Sequence, residues 1–170
     1  YAGAATPVTA FLSVAPKAAG FAILVRFFFS GMSLGGTNEW SLMSGINWPV
    51  ILIGISVLTM TLGNIAALTQ NNLKRMLAYS SIAHAGYIMM GVVVLNGDGL
   101  RAILLYLVVY LFMNLGAFLV VTIIYNSDRT FDIEGYNGMF KRAPFLSVAM
   151  SIFMLSLIGI PPFAGFLGKL

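Results

Sequence analysis

With 170 residues, 59% of them hydrophobic and only 8% charged, the chain has too few polar groups to cover a water-facing surface, because soluble domains carry about 25% charged residues. The membrane is its natural solvent. The absence of cysteine excludes thiolate metal sites, disulfides and iron–sulfur ligation within it, and the net charge of +4 is scattered between apolar runs, where it sets topology rather than a nucleic-acid face.

Five apolar runs are long enough to cross a bilayer, which takes about 20 helical residues. They predict an all-α, polytopic transmembrane helix bundle with segments at about 7–29, 48–69, 76–95, 102–125 and 143–170. The first carries Lys17 and Arg26, the second and fourth carry no charge, and the third carries only His84. The connectors collect turn-formers and charge. Residues 31–47 include Gly35, Gly36, Asn38 and Glu39, and Asn96-Gly97-Asp98-Gly99 reads as a tight turn. Residues 126–142 form the longest polar stretch. No tandem repeat, low-complexity tract or soluble domain stands out. The chain starts at Tyr1 without a signal-peptide pattern and stops just after an apolar run, so both ends are expected to be cuts in a longer protein.

Positive charge sets the orientation. Lys74, Arg75, Arg129, Lys141 and Arg142 fall in the connectors at 70–75 and 126–142, which share one side, whereas the other side has Arg26 and Arg101. The first side is expected to be cytoplasmic. Lys74-Arg75 at its helix boundary reads as a topology anchor.

Lys17 lies about ten residues into the first segment, roughly 15 Å deep at 1.5 Å per residue. A charge at the centre of a membrane helix costs about 2.5–3.5 kcal/mol. That depth argues against simple snorkelling and for a group that takes up and releases a proton. Thr9, Ser13 and Lys17 recur every four residues, which puts them on one polar helix face. Pro16 also releases the Leu12 carbonyl from the helical ladder, as a partner for water or the ammonium.

His84 shares a face with Ser80, Ser81 and Tyr87. Two readings are open for it: a proton relay near neutral pH, or a hydrogen bond between helices without proton traffic. A lone histidine with no carboxylate or cysteine partner is a poor metal ligand. Tyr106, Tyr110 and Asn114 form a third polar stripe, read first as glue between helices. Three helices with polar faces at mid-depth would also allow a shared hydrated axis.

In the last segment, Pro161 and Pro162 remove two amide donors and free the carbonyls of Leu157 and Ile158, while Gly159, Gly165 and Gly168 loosen the backbone around them. A discontinuous helix is expected near Gly159–Gly168, with water satisfying the freed carbonyls and Lys169 on a hydrated path. The competing reading is a kinked helix with Lys169 snorkelling to the interface. No phosphate loop, catalytic triad or dinucleotide fingerprint appears, so the chain itself holds no redox site.

The run Leu73-Lys74-Arg75-Met76-Leu77-Ala78-Tyr79-Ser80-Ser81-Ile82-Ala83-His84-Ala85-Gly86, within residues 63–91, resembles the antiporter-like membrane subunits of proton-pumping NADH:quinone oxidoreductase, respiratory complex I. Thr6-Pro7-Val8-Thr9-Ala10 through Ala15-Pro16-Lys17 fits as well, and Gly159-Ile160-Pro161-Pro162 to Gly168-Lys169 is similar to the subunit N branch. The resemblance covers essentially the whole chain. It implies an antiporter-like fold of fourteen helices with two inverted repeats, of which these residues form helices eight to twelve. It also implies roles. Lys17 matches the central lysine linking two half-channels, His84 the histidine of the second half-channel, and Lys169 the lysine of the second broken helix near the exit. Where the family can carry a titratable group, position 114 is Asn, so a relay there would run through water. Thr9, Ser13, Ser80, Ser81, Tyr87, Tyr110 and Asn114 would support the relay. The family's helix-five glutamate and helix-seven lysine would precede Tyr1.

The resemblance further implies other complex I membrane subunits, lipid, protons and internal water as partners, with quinone as substrate of the complex. No nucleic acid is expected, and no cofactor bound by this chain; FMN and iron–sulfur clusters would belong to the complex as a whole. The setting would be a bacterial plasma membrane, multi-pass, rather than an organelle membrane. Two other functions share these features. One is an Mrp-type cation/proton antiporter subunit, marked by Na⁺ dependence. The other is a structural membrane subunit that transports nothing, to which a midplane Lys17 is foreign.

Overall fold

The computed structural model describes residues 3–31, 46–94 and 96–169. Their elements are helical: α1 (Thr6–Gly31), α2 (Trp48–Leu68), α3 (Leu73–Val94), α4 (Gly97–Asp128), a 3₁₀ turn (Ile133–Tyr136), α5 (Met139–Arg142), α6 (Pro144–Ile158) and α7 (Ala164–Leu167). Among the described residues, α1 to α4 contain spans long and apolar enough to cross a membrane, and α6 is a shorter apolar helix. The fold is a polytopic helical membrane bundle.

Local chemistry explains the helix ends. Pro49 stands in the first turn of α2, where a missing N–H costs nothing, and the Asn47 side chain accepts from the Val50 N–H at 3.4 Å. Residues 96–99 are not the isolated tight turn expected from their composition. Asn96 Oδ1 accepts from Gly99 N at 2.7 Å and caps α4, and Asp98 in its first turn complements the helix dipole. The helix therefore starts five residues earlier than the apolar run and continues to Asp128, where Arg129 turns into the left-handed region at φ 55°. Pro16 lies inside α1 without ending it.

The closest packing pairs α2 with α3 and rests on small residues. A Cβ on Gly63 would meet Ala83 N at 2.6 Å, and one on Gly86 would meet Met60 Cγ at 2.5 Å. Ser56 Oγ donates to the Gly86 carbonyl at 2.8 Å across the same contact. The buried apolar core runs along the inner face of α4 through Met113, Ala117, Phe118 and Val121.

The connectors at 70–75 and 126–142 meet at one end of the bundle. Leu73 N donates to Phe131 O at 2.8 Å, and Ile133 N donates to Asn71 O at 2.9 Å. Arg142 ties the longer connector together by donating to Asp128 Oδ2 at 3.0 Å, Gly135 O at 2.8 Å and Asn137 O at 3.2 Å. Burial, followed by the Asp128 carboxylate, pushes the Tyr136 phenol up to about 12, so that phenol adds no charge to this face at neutral pH. Lys74 differs from the anchor expected of it. It is only 4% exposed, donates to the Ala4 carbonyl, and its ammonium lies 5.2 Å from the Phe131 ring centroid. Its neighbour Arg75 is the exposed member of the pair.

The expected connector at 31–47, with Gly35, Gly36, Asn38 and Glu39, lies almost wholly outside the described residues. The opposite end of the bundle is marked instead by Asp98 and Arg101, an exposed pair at 3.3 Å. Single cysteines at Asn72 and Asp98 in the full-length protein are expected to react with a membrane-impermeant thiol reagent from opposite faces. Labelling of both from one face would show that the spans are miscounted.

Candidate functional site: a polar line along α3

Ser81, His84 and Tyr87 occupy successive turns of α3, so their side chains step around the helix within about 9 Å of axial rise. Each meets a group from another part of the chain. Lys17, half-buried on α1, donates from Nζ to both Ser81 O and Ser81 Oγ at 2.6 Å. The Ser81 hydroxyl itself donates to Ala78 O at 2.6 Å. A single serine thus offers the ammonium two oxygens, one of them polarised by its own outgoing bond. The ammonium thus finds acceptors on the neighbouring helix, whereas the sequence offers it the Leu12 carbonyl freed by Pro16.

Behind Lys17, the other members of its helix face are sealed into the bundle. Thr9 and Ser13 are fully buried. Ser13 Oγ donates to Ala10 O at 2.6 Å and accepts from Asn114 Nδ2 at 2.6 Å. Asn114 thus joins α4 to α1, the gluing role expected of its stripe. Its buried Oδ1 has no hydrogen-bond partner among the described residues.

His84 is 4% exposed and meets α4. Its Nδ1 lies 2.6 Å from the Tyr106 hydroxyl. Its ring lies 5.1 Å from that of Tyr110 and 5.8 Å from that of Tyr87. In the sequence, Tyr106 is one member of a polar stripe read first as glue between helices, with a shared hydrated axis as the other possibility. The α4 pattern gives its face, but nothing in a linear sequence says that His84 stands opposite it.

The third meeting point is the broken helix. α6 stops at Ile158, where Gly159 adopts φ 85° and its N–H reaches the carbonyls of Leu155 and Ser156, each at 3.0 Å. The chain then turns through Pro161 and Pro162 before α7. The discontinuity is where the prolines and glycines put it, and no continuous helix joins Leu155 to Lys169. Within the chain, the partner of the exposed carbonyls is the lysine beyond the break. Lys169 Nζ donates to Leu157 O and Ile158 O, both at 3.0 Å, and lies 4.7 Å from the Tyr87 ring centroid. An ammonium carries three donors and suits this task better than water, because its charge adds to each bond.

Close approach at glycine folds this arm back. Gly165 N donates to Ser156 Oγ at 3.1 Å, and a Cβ on Gly168 would stand 2.7 Å from Tyr106 Cδ2. A cavity of about 480 Å³ opens between α2, α3 and α6, bordered by Gln70 at the connector end and by Ser80, His84, Tyr87 and Lys169 farther in. His84 and Lys169 therefore share one space, while Lys17 reaches α3 at Ser81, one turn closer to the connectors.

The comparisons with known proteins agree with this architecture. The chain matches the family model described as NADH:quinone oxidoreductase/Mrp antiporter, transmembrane, over residues 1–170. It is 52% identical to NADH-quinone oxidoreductase subunit N of Anaeromyxobacter sp. (strain Fw109-5), covering 99% of this chain and 33% of that protein. It is 48% identical to NADH-quinone oxidoreductase subunit N 2 of Chloroherpeton thalassium, covering 100% and 33%. It is 46% identical to NAD(P)H-quinone oxidoreductase subunit 2 of Gloeobacter violaceus, covering 100% and 31%. The chain thus spans about a third of the length of these relatives. With a family match that runs from its first residue to its last, this chain belongs to the NADH:quinone oxidoreductase/Mrp antiporter transmembrane family.

Proposed function

We propose that this chain is part of a proton-translocating membrane subunit of a bacterial NADH:quinone oxidoreductase, seated in the plasma membrane beside other subunits of that complex. Lys17, His84 and Lys169 exchange protons through internal water, and redox energy released elsewhere in the complex drives the exchange. The observation that carries this reading is the line on α3: Lys17 from α1 and Lys169 from beyond α7 meet that helix at Ser81 and Tyr87, on either side of its own His84.

Two ammonium groups in an apolar bundle, with no carboxylate bonded to either among the described residues, repel one another across a low-dielectric interior. Adding or removing a proton at one therefore changes the proton affinity of the other. That coupling is what a relay needs, and a passive scaffold has no use for it. The buried hydroxyls of Thr9 and Ser13, the half-buried hydroxyl of Ser80 and the amide of Asn114 supply neutral dipoles that hold water without fixing charge. Tyr87 and Tyr110 flank the histidine ring.

The family description also covers Mrp antiporters. The quinone oxidoreductase names of the 46–52% identical relatives favour the first reading. To test it, the intact complex carrying Lys169→Ala is reconstituted into sealed vesicles. Lumen acidification per NADH oxidised is expected to fall by about tenfold, as it does when one proton-transfer step in the path is slowed by at least that factor. An unchanged ratio would remove Lys169 from the relay. Acidification that requires Na⁺ would favour cation exchange instead.

A further inference from the structure

We propose that Tyr106 is a positioning residue for His84, whose hydroxyl stays bonded to the imidazole in both of its protonation states and thereby lets a buried histidine gain and lose a proton. The inference rests on the relay reading above and assigns it a residue that the reading did not contain.

Tyr106 is 3% exposed, and its hydroxyl oxygen is 2.6 Å from His84 Nδ1. The groups around this pair are few. Tyr87 lies on the histidine's own helix and Tyr110 on α4. The ammonium of Lys17 comes from α1, and that of Lys169 from beyond α7. No carboxylate appears among them. Of these groups, the Tyr106 hydroxyl is the one placed at hydrogen-bond distance from Nδ1.

The chemistry of the partner decides what the histidine can do. A carbonyl or carboxylate accepts only, so it holds the ring with a proton on Nδ1 and opposes its loss. An ammonium donates only, so it holds a bare Nδ1 and opposes protonation. A hydroxyl does both. It donates to Nδ1 in the neutral ring that carries its proton on Nε2, and it accepts from Nδ1–H in the imidazolium. Only a rotation of the O–H bond separates the two states. His84 Nδ1 keeps a partner in both states, and leaving it bare would cost far more than the bond itself contributes.

Tyr106 also links the histidine to the broken helix. Its ring stands so close to Gly168 that a Cβ there would fall 2.7 Å from Cδ2. Gly168 directly precedes Lys169, which holds the carbonyls of Leu157 and Ile158. Movement of the arm when Lys169 changes partners is therefore felt by the ring that bonds His84.

The test uses the intact complex in sealed vesicles and compares three variants. Tyr106→Phe keeps the ring and its contact with Gly168 but removes the hydroxyl. It is expected to assemble and to pump about tenfold less per NADH oxidised, the rate equivalent of one buried hydrogen bond. Replacing Tyr106 by a ring-fluorinated tyrosine keeps the hydroxyl but makes it more acidic, a better donor and a poorer acceptor. This favours neutral His84 and moves the acid limb of the pumping profile to lower pH, a change that a packing role would not produce. His84→Gln separates the two ideas. If His84→Gln pumps like the parent, the relay reading fails at the histidine. If His84→Gln loses pumping while Tyr106→Phe pumps normally and the fluorinated form leaves the pH profile unmoved, only the Tyr106 assignment falls. A Tyr106→Phe complex that does not assemble, together with an unmoved profile for the fluorinated form, would overturn it as well by making the hydroxyl a structural tie.

Discussion

Proton pumping by the intact complex is expected to fall about a hundredfold when Lys17 becomes alanine, the low end of what a positioned acid–base group contributes, while the complex still assembles. The structure explains why assembly survives. Lys17 is half-buried, and its two acceptors belong to one residue. Without the ammonium, the Ser81 hydroxyl still donates to Ala78 O, and the carbonyl stays in the helical ladder of α3. No buried donor is stranded, and an alanine inserts into a membrane more easily than a lysine. The loss therefore falls on the proton transfer. Lys17→Arg is expected to restore little. A guanidinium does not deprotonate in a protein, and its larger planar fork does not fill the place of the compact ammonium that lies 2.6 Å from both Ser81 oxygens. Quinone reductase activity, assembly and vesicle acidification measured on one preparation check all three statements. Normal acidification by an assembled Lys17→Ala complex would end the case for this lysine.

The sequence made some of these features legible and hid others, for physical reasons that differ from residue to residue. The helical membrane class follows from the scarcity of charge and the length of the apolar runs, properties that any single-chain count captures. The break at Gly159 was equally readable, because two consecutive prolines cannot continue a hydrogen-bond ladder in any context. Helix ends were less so. α4 runs from Gly97 to Asp128 because a capping Asn96 and a polar first turn extend it beyond its hydrophobic stretch. Partners across helices were the hardest to read. Periodicity gives the face on which Lys17, His84 or Tyr106 lies. Which faces meet depends on the close approaches at Gly63, Gly86 and Gly168, and a glycine in a sequence does not say what it lies against. For the same reason Lys74 looked like a surface anchor. Its burial depends on Phe131 and Ala4, which lie far from it along the chain. Water was assigned to the carbonyls of Leu157 and Ile158 because a lysine eleven or twelve residues later can return to them only after the chain has reversed.

That reversal makes Gly165→Ala the change with the largest expected structural effect. A Cβ at position 165 would lie 1.7 Å from Ser156 O and 2.7 Å from its carbonyl carbon, both of them backbone atoms with no rotamer to yield. Overpacking in a well-filled interior costs about 1–3 kcal/mol and more when backbone must move, and here α7 has to separate from α6. The separation would draw Gly165 N away from Ser156 Oγ and carry Lys169 away from Leu157 O and Ile158 O. Those two carbonyls would then lack both an amide partner and the ammonium, inside a bilayer where an unsatisfied group costs several kcal/mol. Gly168→Ala makes a milder comparison, because the atom it meets belongs to a side chain, the Tyr106 ring. The expected order is loss of most assembled complex for Gly165→Ala, partial loss for Gly168→Ala, and near-normal assembly for Gly20→Ala, where an added Cβ meets nothing within 4 Å. Native-gel yield of the complex from membranes with equal expression reads out this order. Normal assembly and pumping with Gly165→Ala would mean that the arm does not fold back onto α6 at Ser156.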